Sequence, residues 1–333
     1  MAIEITVRRI ENETEWDAFV ADSPQGTFFS TSLWIETVAA AQRAYPCILG
    51  VFEDDRLVAG LTCVEIKRGP FTKMTTPVLT PYGGLIYRPV SGKRYSEGES
   101  FNHACADILL SCIADMYSYA FLVHSPEFTD IRPFTWAGWT EAVRYTYLLE
   151  LNDPGRIWDL MERRVRTVLR KAESTLELGG AVDPEHFGEL YERIYLDRGK
   201  KPPIGSATVR TVLGSLIDAG AADMRTVRDS SGDVISSMVL VSDARTVYAW
   251  ISGSLPDRNS TGAFSLLFWD AVRRYSGTCA SLDMVGANIP SISFFKKGFG
   301  GQLRPYYVTE RYGSLFSRVA FGLYGGLRKV LPL

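Results

Sequence analysis

Short apolar runs open the chain. Residues 3–9, 47–53 and 57–66 have strand character, the last two joined across the turn Asp54-Asp55. Between them, residues 14–21 and 31–44 predict helices. In residues 100–116 the apolar positions Phe101, Ala104, Cys105, Ile108, Leu109 and Cys112 recur at helical spacing. Residues 121–124 and 143–151 predict strands. Asn152-Asp153-Pro154 then supplies a cap followed by proline in a first helical turn. A domain boundary is expected there, giving 1–151 and 152–312, with an amphipathic tail over 313–333.

The second half begins with a single predicted helix over residues 155–178, its apolar face running from Ile157 through Val165, Val168 and Leu169 to Leu176. Asp183-Pro184 caps a helix ending at Gly199, and another runs from Ser206 to Gly220. Residues 224–228, 234–241 and 246–252 predict an antiparallel meander. A helix over 264–275, a strand over 280–284, a helix over 292–297 and a strand over 303–310 complete the pattern. The two halves share this order. Gly138-Trp139 answers Gly298-Phe299, and Arg144-Tyr145 answers Arg304-Pro305-Tyr306, each 160 residues apart. Shared order at shared spacing marks a duplicated supersecondary unit.

Composition narrows the class. The 333 residues are 46% hydrophobic and 22% charged, long enough for two globular domains. A formal net charge of −2 excludes a wholesale nucleic-acid coat, so DNA is not an expected partner and RNA would have to meet a local patch. Cys47, Cys63, Cys105, Cys112 and Cys279 are scattered, without a CxxC pair or Cys/His cluster, which points away from a disulfide scaffold or metal site. The polar start and the lack of a run of about 18 apolar residues predict a cytoplasmic protein without a spanning segment.

Several stretches together resemble a known family: residues 166–173, Trp250-Ile251-Ser252-Gly253-Ser254, Gly262 through Trp269, Asp283-Met284-Val285-Gly286, and Phe294-Phe295-Lys296-Lys297-Gly298-Phe299-Gly300-Gly301. In order and spacing they are similar to the GNAT acyltransferase fold, and two copies in tandem resemble the Fem-type peptidyltransferases and related acetyltransferase-like proteins. The resemblance implies an α/β (α+β) chain of two tandem GNAT-like domains with mixed sheets. It also implies transfer of an acyl group to an amine. Fem-type members take an amino acid from aminoacyl-tRNA and add it to the stem peptide of a cell-wall precursor; the other branch uses acetyl-CoA.

On that resemblance Lys296, in the Phe295-Lys296 step, implies stabilisation of the tetrahedral intermediate, and its loss implies lost turnover without lost folding. Phe295 enters through the same match; its composition alone reads as core. Asp283, at a strand end, has three readings: proton acceptor for the attacking amine, loop cap, or partner of Lys296. Arg163, Arg166 and Arg170 share one helical face, suited to phosphates or simply the wet face of the helix. Lys201 lies where Fem-type enzymes present a basic residue to a pyrophosphate. Arg258 and Gly262 precede a helix where acetyl-CoA enzymes cradle phosphates, but their spacing departs from that pattern. Glu36 stands where Fem-type enzymes can place a lysine.

The reading is an aminoacyl-tRNA-dependent acyltransferase acting on an amine of an envelope precursor, with no resident cofactor. The alternatives are an acetyl-CoA-dependent N-acetyltransferase acting on a polysaccharide or peptide, and a non-catalytic GNAT-like scaffold. The tail, with Leu315, Phe316, Val319 and Phe321 among Arg318, Arg328 and Lys329, fits either peripheral contact with the inner membrane face or packing on the protein body.

Overall fold

A computed structural model describes residues 4–69, 71–89, 94–197 and 199–314. The tail beyond Ser314 lies outside the described residues. In chain order the first elements are β1 (Ile5–Arg9), α1 (Glu13–Asp22), α2 (Ser32–Gln42), β2 (Tyr45–Glu53), β3 (Arg56–Arg68), β4 (Phe71–Thr75), β5 (Ile86–Tyr87), α3 (Tyr95–Met116), β6 (Tyr119–Val123) and α4 (Arg132–Trp136). Next come β7 (Thr140–Glu150), α5 (Pro154–Leu160), α6 (Arg163–Thr175), β8 (Glu177–Gly179), α7 (Pro184–Leu196) and α8 (Ser206–Asp218). The chain continues with β9 (Asp223–Arg228), β10 (Val234–Ser242), β11 (Thr246–Ser254), α9 (Ala263–Tyr275), β12 (Ser281–Asp283), α10 (Pro290–Lys297) and β13 (Gln302–Tyr312).

Two compact units form. Of the described residues, one unit holds those up to Arg144 together with 305–314; the other holds Tyr145–Arg304. In the first, β1–β4 form an antiparallel meander, β4 pairs in parallel with β6 after the α3 crossover, and β6 pairs antiparallel with β13 from Val308↔Val123 to Tyr312↔Tyr119. In the second, β8–β11 form the meander, β11 pairs in parallel with β12 after the α9 crossover, and β12 pairs antiparallel with β7 from Ser281↔Glu150 to Asp283↔Leu148. The duplicated order is therefore the same topology twice, but each unit is closed by the strand that ends the other half of the sequence. A cut between residues 151 and 152 does not describe this exchange.

Local chemistry sets the elements of the second unit. Asp153 accepts from the Gly155 amide at 2.8 Å and Asp183 from the His186 amide at 2.8 Å, each followed by proline, so α5 and α7 begin where orphan amides are capped. The single helix expected over 155–178 is instead α5 and α6, with Met161 and Glu162 extended between them and residues 177–179 in β8. The Glu162 amide donates to the Gly298 carbonyl at 2.9 Å. A side chain at Gly300 would bring its Cβ to 2.8 Å from the Leu160 carbonyl oxygen. The helix gives way so that this glycine-rich turn can dock. Behind it, Val165, Leu169 and Ala172 of α6 join Leu266, Leu267 and Val272 of α9 over Met238, Leu240 and Leu282 of the sheet. Strand β10 is buried along eight of its nine residues, as a strand covered on both faces must be.

Candidate active site

In the second unit the parallel strands β11 and β12 pair over only three steps, Thr246↔Ser281, Val247↔Leu282 and Tyr248↔Asp283. Beyond them the chain after β12 stays with β7: the Met284 amide donates to the Tyr147 carbonyl at 2.9 Å and the Ala287 amide to the Tyr145 carbonyl at 2.7 Å. Strand β11 follows β10 instead, through a register shift between Val239 and Leu240 that leaves Trp250 as the extra residue. The two strands therefore diverge past Tyr248 and Asp283. Each keeps its outer partner beyond that point.

The apex of the split is built from three carbonyls and one ammonium. Lys296, near the end of α10, is 6% exposed, and its Nζ donates to the carbonyls of Met284, Val285 and Gly286 at 2.5–2.6 Å. Val285 and Gly286 both have left-handed backbone, φ +47° and +74°, which curls successive carbonyls toward one point. A β-branched residue there is strained by about 1–3 kcal/mol and persists because its surroundings fix it. Asp283, 1% exposed, fixes it from below: its Oδ1 accepts from the Val285 amide at 2.7 Å and from the Thr146 hydroxyl at 2.5 Å. Burial lowers the Lys296 pKa from its ordinary value to about 8, with the Asp283 charge opposing that shift. The carbonyls favour the charged form, so the lysine is an ammonium at neutral pH with all three protons engaged.

This geometry changes what each expected residue does. Asp283 caps the loop and supports Lys296 electrostatically, and its Oδ1 is spent on those bonds. Lys296 bolts a strained loop, so its removal is expected to loosen the fold locally rather than leave it intact. Phe295 stacks on Phe264 at 5.4 Å and meets Phe268 and Phe299, an aromatic cluster beneath the lysine. Arg164, which the sequence did not single out, donates to the Phe294 carbonyl at 2.6 Å, lies over the Phe294 ring and pairs with Glu162.

The expected phosphate-binding residues are dispersed. Arg163 and Arg170 are exposed on α6, and Arg170 lies 5.4 Å over the Trp158 ring. Arg166 donates to the Trp158 and Asp159 carbonyls at 3.2–3.3 Å, capping the end of α5. Lys201 is exposed in the loop before α8. Arg258 pairs with its neighbour Asp257 at 3.4 Å. Gly262 has φ +86°, and a Cβ there would lie 2.6 Å from Val168 Cγ1, so this glycine is required by close packing of α9 on α6. The Ala263 amide that follows donates to the Thr261 hydroxyl at 3.3 Å rather than standing open. Glu36 of the first unit lies on α2, and burial with the neighbouring Glu13 raises its pKa.

The corresponding split of the first unit is stitched shut. Strands β4 and β6 pair in parallel from Lys73↔Tyr119 to Thr75↔Phe121, and the chain then stays against β6. The Thr76 amide donates to the Phe121 carbonyl at 2.8 Å, the Val123 amide to Thr76 Oγ1 at 3.0 Å, and the Gly83 amide to the Val123 carbonyl at 2.8 Å. A Cβ at Gly84 would sit 2.3 Å from His124 Nδ1. His124 is fully buried, stacks on Phe128 at 4.4 Å, bonds Thr309 through Nε2 at 3.0 Å, and is held neutral by burial, its pKa lowered to about 3. Among the described residues no group of His, Cys, Asp and Glu is arranged to hold a metal ion. No described helix is long and apolar enough to cross a membrane.

Residues 161–297 match the family model for an acetyltransferase (GNAT) domain. FemX superposes with a TM-score of 0.71 at 13% identity, covering 96% of this chain and 99% of that one. L-PGS from Bacillus licheniformis gives 0.53 at 11% identity, with 96% and 98% covered. A tandem GNAT protein from the clavulanic acid biosynthesis pathway gives 0.52 at 10% identity, with 93% and 99% covered. At these identities the structural likenesses speak for the fold alone. No curated protein matches the chain in sequence. Diverging parallel strands, a crossover helix and the family match over that same region agree: residues 161–297 are an acetyltransferase (GNAT) domain, and the structural likenesses carry the tandem fold over the whole chain.

Proposed function

We propose that the chain transfers an amino acid from aminoacyl-tRNA to an amine of a cell-envelope precursor, with the split between β11 and β12 receiving the activated acyl group. The observation that carries this is the split itself, where the β11–β12 ladder ends at Tyr248 and Asp283 and a buried ammonium holds the loop that follows. For acyl transfer, a buried positive charge near the developing oxyanion is worth several kcal/mol (roughly 3–4 in one enzyme for one donor). Lys296 supplies that charge when one of its three carbonyl bonds is exchanged for the oxyanion. The exposed cations Arg163 and Arg170 of α6, and separately Lys201, are open to phosphates, and the resemblance of the Phe295-Lys296 stretch to Fem-type enzymes supports an aminoacyl donor. The enzyme needs no resident cofactor in this reading and acts in the cytoplasm, with the basic, apolar tail meeting the inner face of the membrane.

Acetyl-CoA is the rival donor. Against it, Gly262 is used in helix packing, the Ala263 amide is capped, and Arg258 pairs with Asp257. Purified full-length protein is tested by calorimetry with acetyl-CoA and by release of labelled amino acids from a mixed aminoacyl-tRNA pool in the presence of extracted envelope precursors. Acceptor-dependent release without acetyl-CoA binding at micromolar concentration is expected. Tight acetyl-CoA binding with no aminoacyl release overturns the donor assignment.

A further inference from the structure

We propose that Cys47 and Cys63 form an oxidation site, a cross-strand dithiol that hydrogen peroxide converts to a disulfide. The pair lies in the first unit, apart from the acyl-transfer site, and the proposal does not rest on the function given above. The two residues are direct partners in the register of β2 and β3. Directly opposed residues of antiparallel strands have Cα atoms about 4.5–5.5 Å apart, inside the span of about 4.4–6.8 Å that a disulfide bridges. Their side chains share a face, because directly opposed residues of antiparallel strands project to the same side of the sheet.

The surroundings polarise the pair. Tyr117 lies beside Cys47 and donates its hydroxyl proton to Glu65, and Arg9 reaches the same carboxylate at 2.5 Å. The neighbouring Cys63 lowers the Cys47 thiol below its ordinary pKa, against burial and the Glu65 charge and with the Arg9 charge assisting; Cys63 is raised. Cys47 is thus the nucleophile and Cys63 the resolving thiol. The Cys47 thiolate attacks one peroxide oxygen, the O–O bond breaks, hydroxide leaves and a sulfenic acid forms. The Cys63 sulfur then attacks the sulfenic sulfur, the S–O bond breaks, and water departs with the thiol proton. Two thiols and one peroxide give one disulfide and two waters. Both sulfurs are buried, Cys47 at 3% exposure, but Arg9 is half exposed over Glu65 and Tyr45, two residues before Cys47, is 65% exposed. A neutral, water-sized oxidant is the reagent suited to that entry.

The folded full-length protein is treated with hydrogen peroxide, alkylated, and read by intact mass and peptide mapping. Loss of two hydrogen atoms with a Cys47–Cys63 crosslink, reversed by dithiothreitol, is expected. The crosslink persists in Cys112→Ser and disappears in Cys47→Ser and in Cys63→Ser. If the protein keeps all its hydrogens, stops at an oxygenated Cys47, or crosslinks through Cys105 or Cys112, the pair is merely core and the proposal fails. Circular dichroism of each serine variant separates a lost crosslink from a lost fold, and a wild-type protein that fails to crosslink while folded is decisive by itself.

Discussion

Lys296→Met tests whether the buried ammonium is a bolt as well as a catalyst. The substitution preserves length and apolar volume but leaves the carbonyls of Met284, Val285 and Gly286 without their donor. A buried group left unsatisfied costs about 1–3 kcal/mol, so three cost roughly 6 kcal/mol. Against this, the lysine's own desolvation is relieved. Its pKa lies about 2.5 units below the ordinary value, which at about 1.36 kcal/mol per unit amounts to roughly 3 kcal/mol. A net destabilisation of about 3 kcal/mol follows, on the same scales. The strain at Val285 adds a kinetic sign: once unbolted, the left-handed turn relaxes, and amides 284–288 exchange faster than their neighbours. The linkage has a definite direction. The folded pKa is below the unfolded one, so between about pH 8 and 10.5 the unfolded chain holds the extra proton and wild-type stability rises with pH. The Met variant lacks that rise. Urea unfolding across pH 7–11 with hydrogen exchange of peptides over residues 282–290 measures both. A Lys296→Met protein with wild-type stability and wild-type exchange there refutes the bolt, and wild-type turnover refutes the catalytic role independently.

Four further outcomes are expected. Gly262→Ala and Gly277→Ala both place alanine at left-handed backbone, at about 1–2 kcal/mol, but only the former meets Val168 within 2.6 Å; urea midpoints should rank Gly262→Ala as clearly worse, and equal losses refute the packing role. His124, neutral in the fold with its pKa near 3, opposes folding as pH falls from its ordinary value near 6.5 toward 3, by up to roughly 5 kcal/mol; His124→Leu should flatten that part of the stability–pH curve, and an unchanged slope refutes its neutral burial. Arg163→Ala should reduce the slope of tRNA affinity against log salt by about 0.7–0.9 without lowering stability, whereas Arg166→Ala should lower stability by about 1 kcal/mol through its lost carbonyl contacts. Full-length protein should co-sediment with anionic vesicles at low salt and a form ending at Tyr312 should not; if both remain in the supernatant, the tail does not bind lipid.

Much of this arrangement was legible from the chain. Alternation and the Asp54-Asp55 turn give the β2–β3 hairpin, and Asp153-Pro154 and Asp183-Pro184 give two helix starts, because these signals act within a few residues of where they sit. The 160-residue repeat gives the duplicated topology, and Trp139 and Phe299 are both buried behind their glycines. What was missed depends on contacts distant in sequence. The break at Met161 and Glu162 answers the docking of Gly298 and Gly300, which no local propensity records. The left-handed Val285 contradicts the preference of its residue type and exists because Asp283, Lys296 and β7 fix it together. Only Gly286, adjacent to it, hinted at a special backbone. The Cys47–Cys63 pairing was concealed, since counting outward from Asp54-Asp55 sets Cys47 opposite Thr62 and only the extra residue Val58 of β3 shifts it to Cys63.

The duplication also explains why there is one candidate centre rather than two. Both units use the same strand order, so both could in principle separate a parallel pair after a few residues. What differs is the chain that follows the inner strand. After β4 the sequence Thr76-Pro77-Val78-Leu79-Thr80-Pro81-Tyr82-Gly83-Gly84 turns back onto β6, with Trp34 Nε1 donating to Thr80 Oγ1 at 2.8 Å and the two glycines allowing the approach to Val123 and His124. After β11 the chain instead leaves through Leu255-Pro256 into the turn before α9, and the Leu255 amide donates to Ile235 of β10, away from β12. The first unit thereby closes its parallel pair with its own backbone, while in the second the β11–β12 ladder ends at Tyr248 and Asp283. Catalysis requires only one such opening. The sequence over 76–84 closes the first copy, and Lys296 with its three carbonyls lies in the second.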